Sequence, residues 1–353
     1  MTERPRRDHP TLLDVGDARA GLPRDLAPMR PRQAAWAFNS AEYSFELKWD
    51  GLRALASRDH GVLRVTDRSG GDLLALLPEL AQLPIPEGAV LDGEVVVTDS
   101  RGRPSYDLLA GRLGPKAQKR GFGPVFVAFD ALYLDRRALL ARPLAERRRR
   151  LAELELRGRT IGVPDHLDSD GEPFLDVVAE YGLEGIVAKR KTSTYLPGTR
   201  TSDWLKCHVN PRADVVLGGL RLDESGGTVR ALCGQYSDER ETLVMVGEAY
   251  VPHFLTKWLD DATRAFAADT SPFATPLPLR DGTRWLRPKL VAIVEHAGEV
   301  GLLRDARFRA LRFDGRLDDC RIEEPVEVDT EPPTAGNERP RLILLQSLRL
   351  NTD

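Results

Sequence analysis

The chain has 353 residues, 41% apolar and 30% charged, an ordinary globular composition and enough length for two cores rather than one. Its 51 Lys and Arg against 54 Asp and Glu give a net charge of −3, which excludes a uniformly basic surface and requires any phosphate-binding face to be local. No run approaches the roughly 20 apolar residues of a membrane span, and no apolar segment follows the polar, Arg-rich Met1–Pro10 stretch, so the expected compartment is the cytoplasm.

Residues 1–40 are rich in Pro and Arg and read as a partly ordered arm. From Tyr43 onward, β-like runs separated by Gly, Pro and Asp turns are expected at Tyr43–Lys48, Ala89–Thr98, Val125–Leu134, Gly185–Arg190 and Asp203–Val209. Helices are expected at Leu73–Gln82, Arg136–Leu156 and Pro173–Tyr181. Such a mixture predicts an α+β domain with antiparallel sheets over residues 41–210. After Asn210-Pro211 the strands crowd together, at Asp214–Leu222, Thr228–Tyr236 and Thr242–Ala249. A helix opened by Pro252 follows, with Phe254, Leu255, Trp258, Leu259, Ala262 and Phe266 on one face, and then a strand at Trp285–His296. Residues 211–322 therefore predict a small OB-fold β-barrel. The tail, 323–353, has an acidic linker and an apolar segment, Leu342–Leu350, to which the sequence assigns no role.

Three well-separated cysteines, Cys207, Cys233 and Cys320, fit neither a disulfide framework nor paired zinc-ligand spacing, and read as free thiols. The six histidines show no ligand spacing, and no Ser-His-Asp set or Gly-rich phosphate loop is present. The segment that carries chemistry is Glu46-Leu47-Lys48-Trp49-Asp50-Gly51-Leu52-Arg53. A lysine at a strand end can act as a nucleophile where neighbouring cations depress its pKa. Gly51 allows a tight turn, and Arg53 can hold a phosphate. Taken alone, Lys-x-Asp-Gly is more often a surface turn, but four further short segments follow it in order. They are Asp67-Arg68-Ser69-Gly70, Leu91-Asp92-Gly93-Glu94, Phe129-Asp130 and Glu184-Gly185-Ile186-Val187-Ala188-Lys189. A fifth, Trp204-Leu205-Lys206, closes the series.

In this ordered set the chain resembles the ATP-dependent DNA ligases, a branch of the covalent nucleotidyltransferases that also include RNA ligases and mRNA capping enzymes. The match departs from the family pattern at Asp67, where a serine is usual. Arg284-Trp285-Leu286-Arg287-Pro288 resembles a strand of bacterial ligases paired with end-joining systems. Arg304–Arg312 resembles the last ligase motif, which usually closes with Arg-x-Asp-Lys; here Gly315 stands in the lysine's place, with Arg316 one position late. Since that motif orients pyrophosphate for departure, the substitution puts the efficiency of self-adenylation in question.

The resemblance implies that Lys48 attacks the α-phosphate of ATP, that AMP passes from lysine to a DNA 5′-phosphate, and that the adjacent 3′-hydroxyl then seals the nick. It places Lys189 and Lys206 at the α-phosphate as catalytic cations. Glu46, Leu47, Arg53, Arg68, Glu94 and Phe129 line the nucleotide site, with the base stacked on Phe129, and Glu94 and Glu184 hold Mg²⁺ or Mn²⁺. The implied partner is nicked duplex DNA, with end-binding repair proteins as recruiters of a monomer and an interdomain hinge near Asn210-Pro211. The 40 residues in front are too few for the large helical DNA-binding domain of some ligases, so a minimal ligase with weak intrinsic grip is expected. Two alternatives stand: an RNA ligase or GTP-dependent capping enzyme of the same chemistry, and a non-catalytic binder of broken DNA. NAD as donor is disfavoured by the absent cysteine module. Arg136, Arg137, Arg142 and Arg147–Arg150 read either as a DNA-backbone contact or, preferably, as a solvated helix face paired to Glu146, Glu153 and Glu155.

Overall fold

The computed structural model of the protein describes residues 21–113, 122–237, 242–274, 282–297 and 301–328. The apolar tail segment Leu342–Leu350 and the first 20 residues of the arm lie outside them. The N-terminal unit contains β1 (Arg30–Gln33), β2 (Ser40–Leu47), β3 (Leu52–Asp59), β4 (Val62–Asp67) and β5 (Ala89–Val96). It continues with α1 (Tyr106–Leu113), β6 (Val125–Leu134), β7 (Arg137–Ala138), α2 (Leu144–Ala152), β8 (Ile161–Gly162), β9 (Leu167–Ser169), α3 (Gly171–Glu180), β10 (Gly185–Arg190) and β11 (Arg200–His208). Two sheets result, ordered β1-β11-β10-β2-β9 and β4-β3-β5-β6-β7, with β8 beside β6.

Two-residue alternation along the strands separates core from cleft. On β2, Tyr43, Phe45 and Leu47 join a core with Ile186 and Ala188 of β10 and Leu205 and Cys207 of β11. The intervening residues Glu46, Val187, Lys189, Trp204, Lys206 and His208 line the cleft instead. On β3 and β5, Leu52, Ala54, Ala56, Ala89, Leu91 and Val95 fill the second core, which turns Arg53 and Glu94, direct cross-strand partners, toward the same cleft.

The C-terminal unit comprises β12 (Arg212–Leu222), β13 (Thr228–Tyr236), β14 (Leu243–Tyr250), α4 (His253–Thr263), β15 (Ala267–Ala268), β16 (Thr283–Leu286), β17 (Val291–Ala297) and β18 (Arg304–Leu311). β12, β13, β14, β18 and β17 pair in a ring, since β12 bonds both β17 and β13, and the parallel β14–β18 pairing completes an OB-type barrel. Val215, Leu217, Val246, Val294 and Phe308 fill its interior.

Several expectations need correction. The stretch Leu73–Gln82 is no α-helix: Leu77 precedes Pro78 in a non-helical conformation, and only a 3₁₀ turn, Pro78–Gln82, forms. Of the expected helix Arg136–Leu156, only α2 exists, because Asp135 and Arg136 adopt φ of 50° and 60° to turn β6 into β7, and Pro143 delays helix entry. The expected strand Trp285–His296 is two strands, interrupted at Pro288, which has no N–H for the ladder. Phe254 and Trp258 leave the barrel core: they are 78% and 40% exposed, while Leu259 of the same helix is fully buried. The sequence reading also lacked β3, β4 and α1, and part of the expected arm is structured as β1, which pairs in parallel with β11.

Candidate active site

Lys48 follows the last residue of β2, and its backbone N–H donates to the Gly185 carbonyl at 2.9 Å, anchoring it against β10. Its ammonium lies 2.7 Å from Glu184 Oε1. Gly51 does have to be glycine here, for close approach rather than for a turn: a Cβ at this position would stand 2.3 Å from the Val95 carbonyl oxygen. Arg53 is held by a bidentate pair with Asp92 at 2.6 and 2.7 Å, and Asp92 also accepts from the Tyr195 hydroxyl at 2.6 Å. Its guanidinium lies 4.6 Å from the Phe129 ring centroid.

Phe129 sits in the middle of β6, not at its end, and presents its ring to the cleft. The Lys189 ammonium stands 4.0 Å over this ring and 4.4 Å from the Trp204 ring, while bonding Glu46 at 2.8 Å. Lys189 thus covers one face of the Phe129 ring in a cation–π contact. Burial raises the Glu46 carboxyl pKa, but the Arg148 guanidinium and Lys189 outweigh it and hold the group below its ordinary value. Burial lowers that of Lys189, partly offset by Glu46. Lys206 lines the same cleft, pushed down to about 8 by burial, with Asp214 opposing and Lys48 adding to the shift. Glu94 is pushed up to about 7 by burial, against the attraction of Arg53, Lys48 and Arg312.

All ten residues expected at the site, Glu46, Leu47, Lys48, Arg53, Arg68, Glu94, Phe129, Glu184, Lys189 and Lys206, line one cleft. Sequence reasoning missed others that the structure adds. His208 follows Lys206 by two positions, so the alternation that exposes Lys206 exposes it too; its buried ring nitrogens have no hydrogen-bond partner among the described residues. Burial, then Lys48, Lys206 and Arg212, hold its pKa well below the ordinary value, so the imidazole is neutral. Arg212 links the two units, lying 3.4 Å from Glu184 and 2.9 Å from Glu295. Arg312 comes over the cleft from the barrel beside Asp214 and Asp314.

The Arg-rich segment corrects another expectation. Arg149–Glu153 and Arg150–Glu146 are helix-face ion pairs, as preferred, and Arg136 pairs with Asp59 and Glu87. Arg147 and Arg148, however, are buried. Arg147 clamps Asp130 through two bonds of 2.8 Å, and Arg148 holds Glu46 from behind. A wider cavity of about 760 Å³, lined in part by Arg148, Arg149, His166 and Lys191, gathers none of the motif residues.

Glu94 and Glu184 are the carboxylates of the cleft that would hold a divalent cation. Glu94 faces the cleft, and Glu184 Oε2 is buried without a partner, yet no group of three or more His, Cys, Asp or Glu among the described residues is arranged to hold a metal.

Comparisons with known proteins agree with this geometry. The family model "ATP dependent DNA ligase domain" matches residues 28–208. The multifunctional non-homologous end joining protein LigD of Mycolicibacterium smegmatis is 35% identical over 315 residues, covering 86% of this chain and 40% of that protein. The chain therefore spans about two fifths of this relative's length. The SPbeta prophage-derived DNA ligase-like protein LigB of Bacillus subtilis is 33% identical over 194 residues, 55% of this chain and 71% of that protein. Among solved structures, a mycobacterial DNA ligase D complexed with ATP and MES matches with a TM-score of 0.60 and 33% identity, covering 85% of this chain and 99% of that one. The chain belongs to the ATP-dependent DNA ligase domain family, with a nucleotidyltransferase unit followed by an OB-fold.

Proposed function

We propose that this chain seals 5′-phosphate/3′-hydroxyl nicks in duplex DNA, using ATP and carrying AMP on Lys48. The observation that carries the reading is the Lys48 amine, 2.7 Å from a carboxylate, in a cleft it shares with Lys206, Arg312 and the Phe129 ring. The Lys48 nitrogen forms a bond to the α-phosphorus as the α–β oxygen bond breaks; pyrophosphate leaves, and Glu184 is placed to take the amine proton. Lys206 and Arg312 stabilise charge developing on the transferring phosphoryl group. Phe129 stacks the adenine once Lys189 has swung from Glu46 toward the phosphate, and Arg53, fixed by Asp92, holds the ribose-phosphate side. Glu94 and Glu184 would hold Mg²⁺ or Mn²⁺, whose chemistry is to neutralise the phosphates and ease pyrophosphate departure.

Residues 41–210 and 211–322 are taken as the two working units, hinged near Asn210-Pro211. The end-joining name of the M. smegmatis relative supports work at broken DNA, with end-binding proteins as recruiters. The test is incubation with α-labelled ATP and Mg²⁺, then denaturing electrophoresis. Label is expected on the chain from ATP and not from GTP, lost in Lys48→Ala and discharged by nicked duplex. A labelled chain that never seals a nick would sink the ligase reading, and no label on enzyme shown by mass to be AMP-free would sink the chemistry.

A further inference from the structure

Among the described residues the chain passes between the two units twice, and both passages are short. The first is at Asn210. Val209 N–H donates to the Glu184 carbonyl at 3.0 Å, inside the N-terminal unit, while the Pro211 carbonyl accepts from His296 N–H at 3.1 Å, inside the barrel. The second follows β18. Tyr236 N–H donates to the Cys320 carbonyl at 2.7 Å, and the Tyr236 carbonyl accepts from Ile322 N–H at 3.1 Å, which ties residues 320–322 to β13. Cys320 is fully buried there among Val216, Leu232 and Leu243. From Glu323 the contacts change sides. Glu323 pairs with Arg200 of β11 at 2.8 Å, and the Glu324 carbonyl accepts from the Arg32 guanidinium at 3.2 Å. Val326 N–H donates to the Gln33 carbonyl at 2.8 Å, and the Val326 carbonyl accepts from Ala35 N–H at 3.0 Å.

Residues 323–328 thus run beside the end of β1, an edge of its sheet, with Ala34 bridged in parallel to Val326. Val326 and Val328 pack against the N-terminal core that holds Phe45 and Ile186. This anchorage consists of backbone hydrogen bonds, an ion pair and apolar burial, and the barrel supplies none of them. Two bodies joined at one point can turn about any axis through that point. Joined at two, they keep only the rotation about the line between them, and parts lying beside either joint are carried least.

We propose that residues 323–328 are a strap that stays on β1 throughout the reaction cycle, and that the passage at residues 322–323 is a second hinge. The barrel then turns about one line, through Asn210 and this passage, instead of swinging freely on a single point. Arg212 lies just past the first hinge and Asp319 just before the second. Their pairs with Glu184 and Arg30 therefore last through the motion, and each closure returns Arg312 to the same place over the cleft. The inference rests on the reading that the barrel moves relative to the N-terminal unit, and adds what confines that motion.

The experiment is hydrogen exchange at single amides of the full-length chain, compared between enzyme saturated with a non-hydrolysable ATP analogue and adenylated enzyme on nicked duplex. Phe313 N–H, which donates to the Tyr106 hydroxyl across the units, reports opening, while the Ala35 and Val326 N–H groups report the strap. On the duplex, Phe313 is expected to exchange roughly tenfold faster, with Ala35 and Val326 staying within about twofold of their rates in the closed enzyme. Faster exchange at all three would show that the strap leaves with the barrel, which overturns the second hinge and leaves the motion standing. No change at Phe313 would mean that the barrel does not turn, and the motion and its hinge fall together. Val326→Asp sets a charge where the strap packs. It is expected to raise exchange at Ala35 roughly tenfold and to slow AMP labelling about three- to tenfold, because an unstrapped barrel closes in more than one orientation. Val326→Ile is expected to match the wild type, and Val326→Ala gives the same sign as Val326→Asp if the latter does not fold. Labelling at the wild-type rate by a variant whose strap is loose by exchange would also overturn the second hinge.

Discussion

At the scale of single residues, Glu94 shows how a functional group is held at a cost to the fold. Its folded pKa, about 7, lies above the ordinary carboxyl value because burial penalises the charge more than Arg53, Lys48 and Arg312 relieve it. The folded state therefore binds more protons than the unfolded one across the window from 4.5 to about 7, and stability falls as pH rises through it. Glu94→Gln removes that penalty. In metal-free buffer with chelator it is expected to stabilise the chain at pH 8 by on the order of 2 kcal/mol and to leave stability at pH 4 nearly unchanged. Denaturant melts at the two pH values check this, and equal effects at both would refute it. The same change is expected to lower self-adenylation by at least a hundredfold. Gly315 makes a second residue-scale case. A Cβ there would meet the Val291 Cβ at 2.5 Å, and Arg316 pairs with Asp318. Restoring the family lysine with Gly315→Lys is therefore expected to slow AMP labelling and lower Tm, not to improve turnover; a faster rate would mean the closed form differs around β17.

At the scale of elements, α2 joins fold to chemistry. Arg147 and Asp130 form a wholly buried pair, and the neighbouring Arg148 positions Glu46. Breaking a buried pair leaves one charge unmatched, so Arg147→Met is expected to cost about 3–5 kcal/mol in urea denaturation. Arg147→Met/Asp130→Leu is expected to recover much of the loss, since neither charge then remains; no recovery would show that packing dominates. This element also marks where the sequence stops being legible. The cleft residues could be found because they belong to short ordered motifs and because strand alternation turns Glu46, Lys189 and Lys206 to one face. Burial of Arg147 and Arg148 depends on Asp130 and Glu46, 17 and 102 residues away, and no local pattern encodes such pairings. The helix boundaries failed where proline and left-handed residues overrode apolar periodicity, at Pro78, at Asp135-Arg136 and at Pro143. Phe254 and Trp258 failed for the opposite reason: helical spacing groups them with Leu259, but the barrel packs only against the Leu259 side.

At the scale of the whole molecule, the two units meet through many polar contacts, among them Arg212 with Glu184, Arg68 with Asp314 and Arg30 with Asp319. The Tyr106 hydroxyl, at the start of α1, donates to the Leu311 carbonyl at 3.2 Å and accepts from the Phe313 N–H at 3.3 Å. Those two residues flank Arg312, so one phenol fixes the stretch that brings Arg312 over the cleft. Because the ring itself packs in the N-terminal core, Tyr106→Phe removes the bonds and keeps the packing. A hydrogen bond of this kind contributes about 1 kcal/mol net, which predicts a roughly fivefold slower self-adenylation in single-turnover labelling. On the proposed mechanism, sealing of a nick that already carries 5′-AMP does not rest on this contact, and its rate is expected to stay within about twofold of wild type. An equal loss in both steps would show that the barrel holds this position throughout the cycle. The closed form would then serve every step, and no opening would be needed to admit the strand.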